Sequence, residues 1–285
     1  MSKQKIAIVT DSTASIPAQA CAGLKISVIP VWMLWDGENF RDGVDIQPEA
    51  FYQRLRRSKT LPTTSQPSPG EFVNFYQQVA AQGADVIISV LVSSKISGTV
   101  ASAQAAKAEL PHLDIRIVDS HSTTMGLGLV VLAAARAVAE GRSADDVVAL
   151  AERCSAGMQV LFVVDTLEYL FKGGRISGGK HLLGTALNIK PILHIQDGQI
   201  KPLTQARSKP KAIARVLEIA AERLAGREMA ESAVVDVDSP AEGEMLAGMV
   251  KQHFAPASPL RAGVSPVVGT HAGPGTVGIA FYAKG

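Results

Sequence analysis

Four short segments of this 285-residue chain concentrate small hydroxyls, glycines and prolines: Thr10–Thr13 (TDST), Pro62–Ser68 (PTTSQPS), Ser93–Thr99 (SSKISGT) and Thr270–Gly275 (THAGPG). Hydroxyls and free backbone N–H groups are donors, so such segments suit the holding of an anion. Ser93–Thr99 has the sharper pattern, because the apolar run Val86–Val92 leads straight into it and an Ala-rich stretch to Leu110 follows. A polar loop between a strand and a helix gathers unpaired N–H groups, the positive end of the helix dipole and serine hydroxyls at one place. For each serine or threonine taken singly, the alternative of a plain helix or turn cap stays open.

Three other chemistries were weighed against that one. Ser97 as nucleophile with His271 as base would make a hydrolase, but no GxSxG elbow occurs and no Asp is evidently placed to orient His271. Gly174-x4-Gly179-Lys180 matches most of a nucleotide-binding loop, yet His181 stands where the magnesium-holding Ser/Thr belongs. Asp11, Asp42, Asp45 and Asp119 are scattered without ligand spacing and read as solvated loop carboxylates, so no metal is expected. The basic run Arg54, Arg56, Arg57 and Lys59 reads as a solvated helix face, with partner docking as its alternative.

The elements that must position these residues follow an α/β alternation. Strands are expected at Ile6–Val9, Ile26–Trp35, Val86–Val92 and Ile115–Val118, with a helix over Gly126–Glu140. That order predicts a parallel sheet with helices on both faces. From Val160 the texture changes: strand Val160–Val164, a helix around Thr166–Phe171, and the loop Lys172–Lys180 with four glycines in nine residues. Pro191–Ile195 and Gln199–Pro202 flank Asp197-Gly198, a hairpin signal. Helix 210–224, strand 233–237, helix 241–253 and strands 264–268 and 277–282 complete a second lobe with a mixed sheet. The expected fold class is therefore α/β in two lobes, 1–156 and 157–285.

Composition bounds the function. With 28 Lys+Arg against 26 Asp+Glu the net charge is only +2, too balanced for a phosphate-neutralising nucleic-acid face. Hydrophobic residues at 47% exclude a disordered chain, and aromatics at 5% leave a core of Ala, Val, Ile and Leu. Cys21 and Cys154 form no CxxC pair, which fits a reducing compartment. Apolar runs such as Gly126–Ala135 fall well short of the ~20 residues of a bilayer span. A cytoplasmic protein without stable membrane insertion is the expectation.

At these segments the chain resembles the DegV family. The resemblance rests on VTDST at 9–13, PTTSQPS at 62–68, SSKISGT at 93–99, VDS at 118–120, KGGRIS at 172–177, LNIKPIL at 187–193, DGQI at 197–200, Arg207 with the following Ser-Lys, and HAGPG at 271–275. Each is weak alone, but their number and order over the whole length are specific. The resemblance implies a two-lobed α/β protein that holds one long-chain fatty acid, such as palmitate, stearate or oleate, in a tunnel between the lobes. It also implies a partner, a separate ATP-binding fatty acid kinase that phosphorylates the presented carboxylate. Thr64 and Ser97 would hold the carboxylate, and Thr63, Ser65, Ser94, Gly98 and His271 would support the site. Arg175 would lie at the kinase-facing rim, while Trp32 and Trp35 would bear on the shape of the tunnel. No cofactor is implied. The residue reading agrees: a carboxylate is an anion, and a tail of roughly fourteen methylenes at ~0.8 kcal/mol each could contribute on the order of 10 kcal/mol before ordering costs. A Ser–His acyl hydrolase and a fatty-acid-responsive regulator remain as alternatives, since both need the same pocket.

Overall fold

The computed structural model describes residues 4–177, 189–255 and 257–284. Strands β1 (Ile6–Asp11) and β2 (Ile26–Ile29) begin a four-stranded sheet that is completed by β6 (Val86–Leu91) and β7 (Asp114–Asp119). Its order is β2-β1-β6-β7, and all its pairs are parallel. Strand β6 is buried at every position, as its unbroken apolar sequence requires when both faces are covered. On one face lie α2 (Pro69–Ala81) and α3 (Thr99–Glu109), which pack Phe72, Tyr76 and Ala103 against Ile87, Leu91 and Ile115.

A second sheet of six strands follows. It uses β8 (Gln159–Val163), β9 (Lys190–Gln196), β10 (Gln199–Ala206), β11 (Met229–Asp236), β12 (Leu260–Gly263) and β13 (Val277–Ala283) in the order β10-β9-β8-β13-β11-β12. Only the β11–β12 pair is parallel, so the sheet is mixed. Helices α7 (Lys209–Leu224) and α8 (Pro240–His253) cover its outer face. Helices α4 (Thr124–Ala139) and α5 (Ala144–Gly157) form the layer next to the four-stranded sheet, and α4 also packs on β11 and β13. The result is an α/β/α/β/α stack. A helix gripped from two sides must be apolar all round, which is why Gly126–Ala135 (GLGLVVLAAA) is buried throughout. The two sheets thus share one core. The chain passes from one to the other between Gly157 and Gln159.

Three departures from the sequence expectations bear on the site. The single strand expected over 26–35 is split: β2 stops at Ile29, and β3 (Trp32–Trp35) turns away after Pro30 into a separate antiparallel sheet. Proline lacks the N–H that a continuing ladder needs. That small sheet has the order β4-β3-β5, with β4 (Glu38–Arg41) and β5 (Thr63–Ser65), and α1 (Pro48–Leu55) follows β4 in the chain. The strand expected over 264–268 is instead the end of a loop and the start of α9 (Pro266–Ala272), where Ser265 sits at the N-cap and proline at the first helical position. Third, Asp11 and Asp42 are buried, not solvated as their loop context suggested.

Candidate functional site

Strand β5 fixes the direction of the PTTSQPS segment. Thr64 pairs with Met33 of β3, and strand alternation turns it inward, leaving Thr63 and Ser65 more exposed on either side of it. Its Oγ1 lies 2.8 Å from Nε2 of His271 in α9. The other nitrogen, Nδ1, is buried without a hydrogen-bond partner among the described residues. Burial, and secondarily the charge of Arg175, lowers the His271 pKa to about 4, so the ring is neutral near pH 7. A neutral ring carries one proton. Placing it on Nδ1 would orphan a buried N–H, whereas placing it on Nε2 lets it donate to Thr64 Oγ1. The Thr64 hydroxyl proton is then free to be donated onward.

Ser97 lies in the turn between β6 and α3. Its N–H donates to the Ser93 carbonyl at 3.1 Å, and its Oγ lies 2.8 Å from Thr99 Oγ1. The same Oγ accepts the Thr99 N–H at 3.3 Å, so Ser97 does cap this turn. When Thr99 donates to Ser97 the serine proton is also free. The PTTSQPS and SSKISGT segments meet at Gly98, where a Cβ would clash with the Gln66 side-chain amide. Asp11 squares off the neighbouring strand ends: Thr13 donates its N–H and hydroxyl to Oδ1, and Val92 N–H donates to Oδ2 at 2.8 Å. Burial raises the Asp11 pKa, opposed by those three donors.

These residues border a small cavity of about 60 Å³ lined by Thr13, Thr64, Ser65, Gln66, Ser97 and Arg175, with Val31, Val92, Ile96 and Val267 among its apolar walls. A second small cavity, also of about 60 Å³, has Thr123, Ile200, Val268 and His271 in common with it. Its other walls are almost wholly apolar, from Val160, Phe162 and Leu170 to Val235, Val237 and Val264. Both therefore lie between the two sheets. Outside the hydroxyl end, Thr64, Arg175 and His271 also border an outer cleft with Lys59, Thr63 and Lys172. From inside out the order is hydrocarbon wall, hydroxyls, cations.

Among the residues expected from sequence, Thr64, Ser97 and His271 line one cavity together with Ser65 and Arg175. Thr63 faces the outer cleft, and Gly98 is the contact point of the two motifs. Ser94 is not brought to the cavity; it is exposed, and its N–H approaches the Asp119 carboxylate at 3.3 Å. Arg175 is half-buried, not outstretched, with Nε on the Ile96 carbonyl at 3.3 Å and Nη1 on the Gly173 carbonyl at 2.6 Å. Gly173 itself must lack a side chain, since a Cβ would collide with His271 Nδ1. Neither tryptophan lines these cavities: Trp32 donates to Glu71 at 2.7 Å and Trp35 packs edge-on to Phe51. Thr13 was singled out in sequence only as part of the TDST segment, and Thr123 carried no local signal. The Gly179-Lys180-His181 part of the loop motif, and Leu187-Asn188, lie outside the described residues. A nucleophile–base pair is not formed here, because His271 Nε2 contacts Thr64 while Ser97 contacts Thr99.

Fold and site together define a two-lobed α/β protein whose adjoining cavities run from apolar walls to the hydroxyls of Thr64 and Ser97 beside Arg175. Comparison with known proteins agrees. The model of the DegV family, described as uncharacterised protein, DegV family, matches residues 5–284. A DegV domain-containing protein of Streptomyces coelicolor is 38% identical over 280 residues, covering 98% of this chain and 99% of that one. A structure described as fatty acid binding of a DegV family protein from Thermus thermophilus superposes with a TM-score of 0.91 at 34% identity, covering 99% of this chain and all of that one. DegV of Bacillus subtilis, described as a fatty acid binding protein, gives a TM-score of 0.89 at 32% identity over 99% of this chain and 100% of its own. This chain belongs to the DegV family.

Proposed function

We propose that this protein binds one long-chain fatty acid in the chamber between its sheets and offers the carboxylate, held by Thr64 and Ser97, to a separate ATP-dependent kinase for acyl-phosphate formation. The observation that carries the reading is the polarity order of the joined cavities: apolar Val160, Phe162, Val235 and Val268 at one end, and the hydroxyls of Thr64 and Ser97 at the other. A hydrocarbon tail takes the apolar part, and each buried methylene adds ~0.8 kcal/mol. The carboxylate needs donors, and two hydroxyls freed by their neighbours supply charge-assisted bonds without a fixed cation in direct contact. The described binding of fatty acid by the Thermus and Bacillus relatives supports the same ligand.

The outer cleft with Lys59, Lys172 and Arg175 supports presentation, because a carboxylate at Thr64 would sit one side chain from a cationic rim open to a partner. A Ser97–His271 hydrolase is disfavoured by the contacts those two residues actually make. Denaturing mass spectrometry of organic extracts from the purified protein tests the reading. About one long-chain fatty acid per chain is expected. No extractable lipid, together with no rise in melting temperature on adding palmitate or oleate, would overturn it, since a ligand at 100 times its Kd stabilises by ~2.7 kcal/mol. Steady release of acid from acyl esters would favour the hydrolase instead.

A further inference from the structure

A separate cleft of about 590 Å³ opens where the β9–β10 hairpin meets the other lobe. The hairpin turn is held there by Ser93 Oγ, which donates to the Gly198 carbonyl at 2.8 Å, and a Cβ at Gly198 would collide with that same hydroxyl. Arg223, near the end of α7, reaches into this cleft. Its Nη1 donates to Gln159 Oε1 and its Nη2 to His194 Nδ1, each at 2.8 Å, and among the described residues no carboxylate neutralises it. Desolvation lowers the Arg223 pKa, opposed by the charge of neighbouring Glu222, which forms no ion pair with it among the described residues.

Three further donors line the same cleft. His194 is 8% exposed, and burial with the charges of Arg223 and Lys201 lowers its pKa. Because Nδ1 accepts from Arg223, the neutral ring must carry its proton on Nε2, a donor with no protein acceptor among the described residues. Ser155 is also 8% exposed, and its Oγ has no hydrogen-bond partner there. Lys95 lines the mouth without an ion pair among the described residues. Asp197 is the one carboxylate in the lining and lies 3.4 Å from Lys201. We infer that this cleft binds a phosphate group, free or on a small phosphorylated molecule, through Arg223, His194 Nε2–H, Ser155 and Lys95. Two cationic side chains and two neutral donors on different walls match a tetrahedral dianion with several acceptor oxygens better than a planar carboxylate with two.

The test is titration calorimetry on the full chain with inorganic phosphate, glycerol 3-phosphate and acetate at matched ionic strength. Phosphate should bind about tenfold or more tighter than acetate, and Arg223→Gln should weaken it ~10–100-fold. Palmitate affinity should stay within about twofold of wild type in that variant, because Arg223 lines neither lipid cavity. Tighter binding of glycerol 3-phosphate than of phosphate assigns the cleft to a phosphomonoester; the reverse assigns it to the free ion. If Arg223→Gln does not fold, Ser155→Ala and Lys95→Gln decide, each with an expected loss of about threefold or more. Heats no different from those of chloride, or full phosphate affinity in the variants, would overturn the inference. Neither result touches the fatty-acid reading, which the palmitate titration reads separately.

Discussion

Replacing Thr64 by valine removes one hydroxyl and keeps the β-branched shape that strand β5 accommodates. Two losses follow, and they can be told apart. In the free protein the Nε2–H of His271 loses its 2.8 Å acceptor while remaining largely shut off from water, which costs about 1–3 kcal/mol of stability. That loss is present with or without ligand. In the complex the carboxylate loses a charge-assisted bond of roughly 1.5–3 kcal/mol, or about 10–150-fold in Kd. A fatty alcohol of equal length brings no anion, so its affinity should fall by less than about threefold. The acid/alcohol ratio therefore isolates the carboxylate contact from any general loosening of the pocket. Fluorescence displacement with palmitate and hexadecanol on wild type, Thr64→Val, Ser97→Ala and the double variant measures it. Both hydroxyls serve one ligand group, so the double variant should lose less than the sum of the singles. Equal losses for acid and alcohol, or an unchanged acid affinity in both single variants, would refute the assignment.

Gly173→Ala should weaken fatty acid binding about tenfold although residue 173 is not in the hydroxyl cavity, because its Cβ must push His271 off Thr64; affinity equal to wild type by the same displacement assay would show that the histidine is dispensable. Asp42 is held by burial at a pKa of about 6 against an ordinary 3.8, so the folded state binds more protons than the unfolded one between those values and stability falls as pH rises through them. Asp42→Asn should remove that loss, gaining on the order of 3 kcal/mol above pH 6 and nothing below pH 4, as read by urea unfolding across pH 4–8. His271 has the opposite sign: its lowered pKa makes folding less favourable as pH falls from 6.5 to about 4, and His271→Gln should flatten that limb in the same experiment. Arg175→Ala should cut acyl-phosphate formation by a cognate kinase about tenfold or more while moving lipid affinity less than about threefold, since its Nε and Nη1 hydrogen-bond to backbone carbonyls and not to Thr64 or Ser97; lost lipid binding with normal turnover would reverse that role.

Local pattern determined much of this protein. The strand–loop–helix unit around Ser97, the hairpin at Asp197-Gly198 and the apolar stretch over 126–135 are each written in a few consecutive residues, because turn chemistry and hydrophobic period act over that range. That Thr64, Ser97 and His271 lie in segments rich in hydroxyls was legible for the same reason, while the Ser97–His271 alternative could be judged only from the contacts each makes. Helix α5, by contrast, is missing from the elements expected from sequence although Ser143 caps it and Asp145 and Asp146 occupy its first turn. The break Glu140-Gly141-Arg142-Ser143 was present in the sequence, with Gly141 at positive φ, so α5 was legible and was passed over.

Tertiary structure alone decided the rest. That PTTSQPS is partly a strand depends on β3, thirty residues earlier, turning out of the parallel sheet at Pro30 to meet it. That Thr64 reaches His271 depends on α9, 207 residues away, starting at Pro266 where valines suggested a strand. Whether Asp11 and Asp42 are solvated could not be read from their neighbours, because burial is set by what packs on them: Val92 and Thr13 for the first, the start of α9 for the second. Sequence determines which groups can donate and which side chains avoid water. Where they converge is fixed by contacts between segments far apart in the chain, and no local rule carries that information.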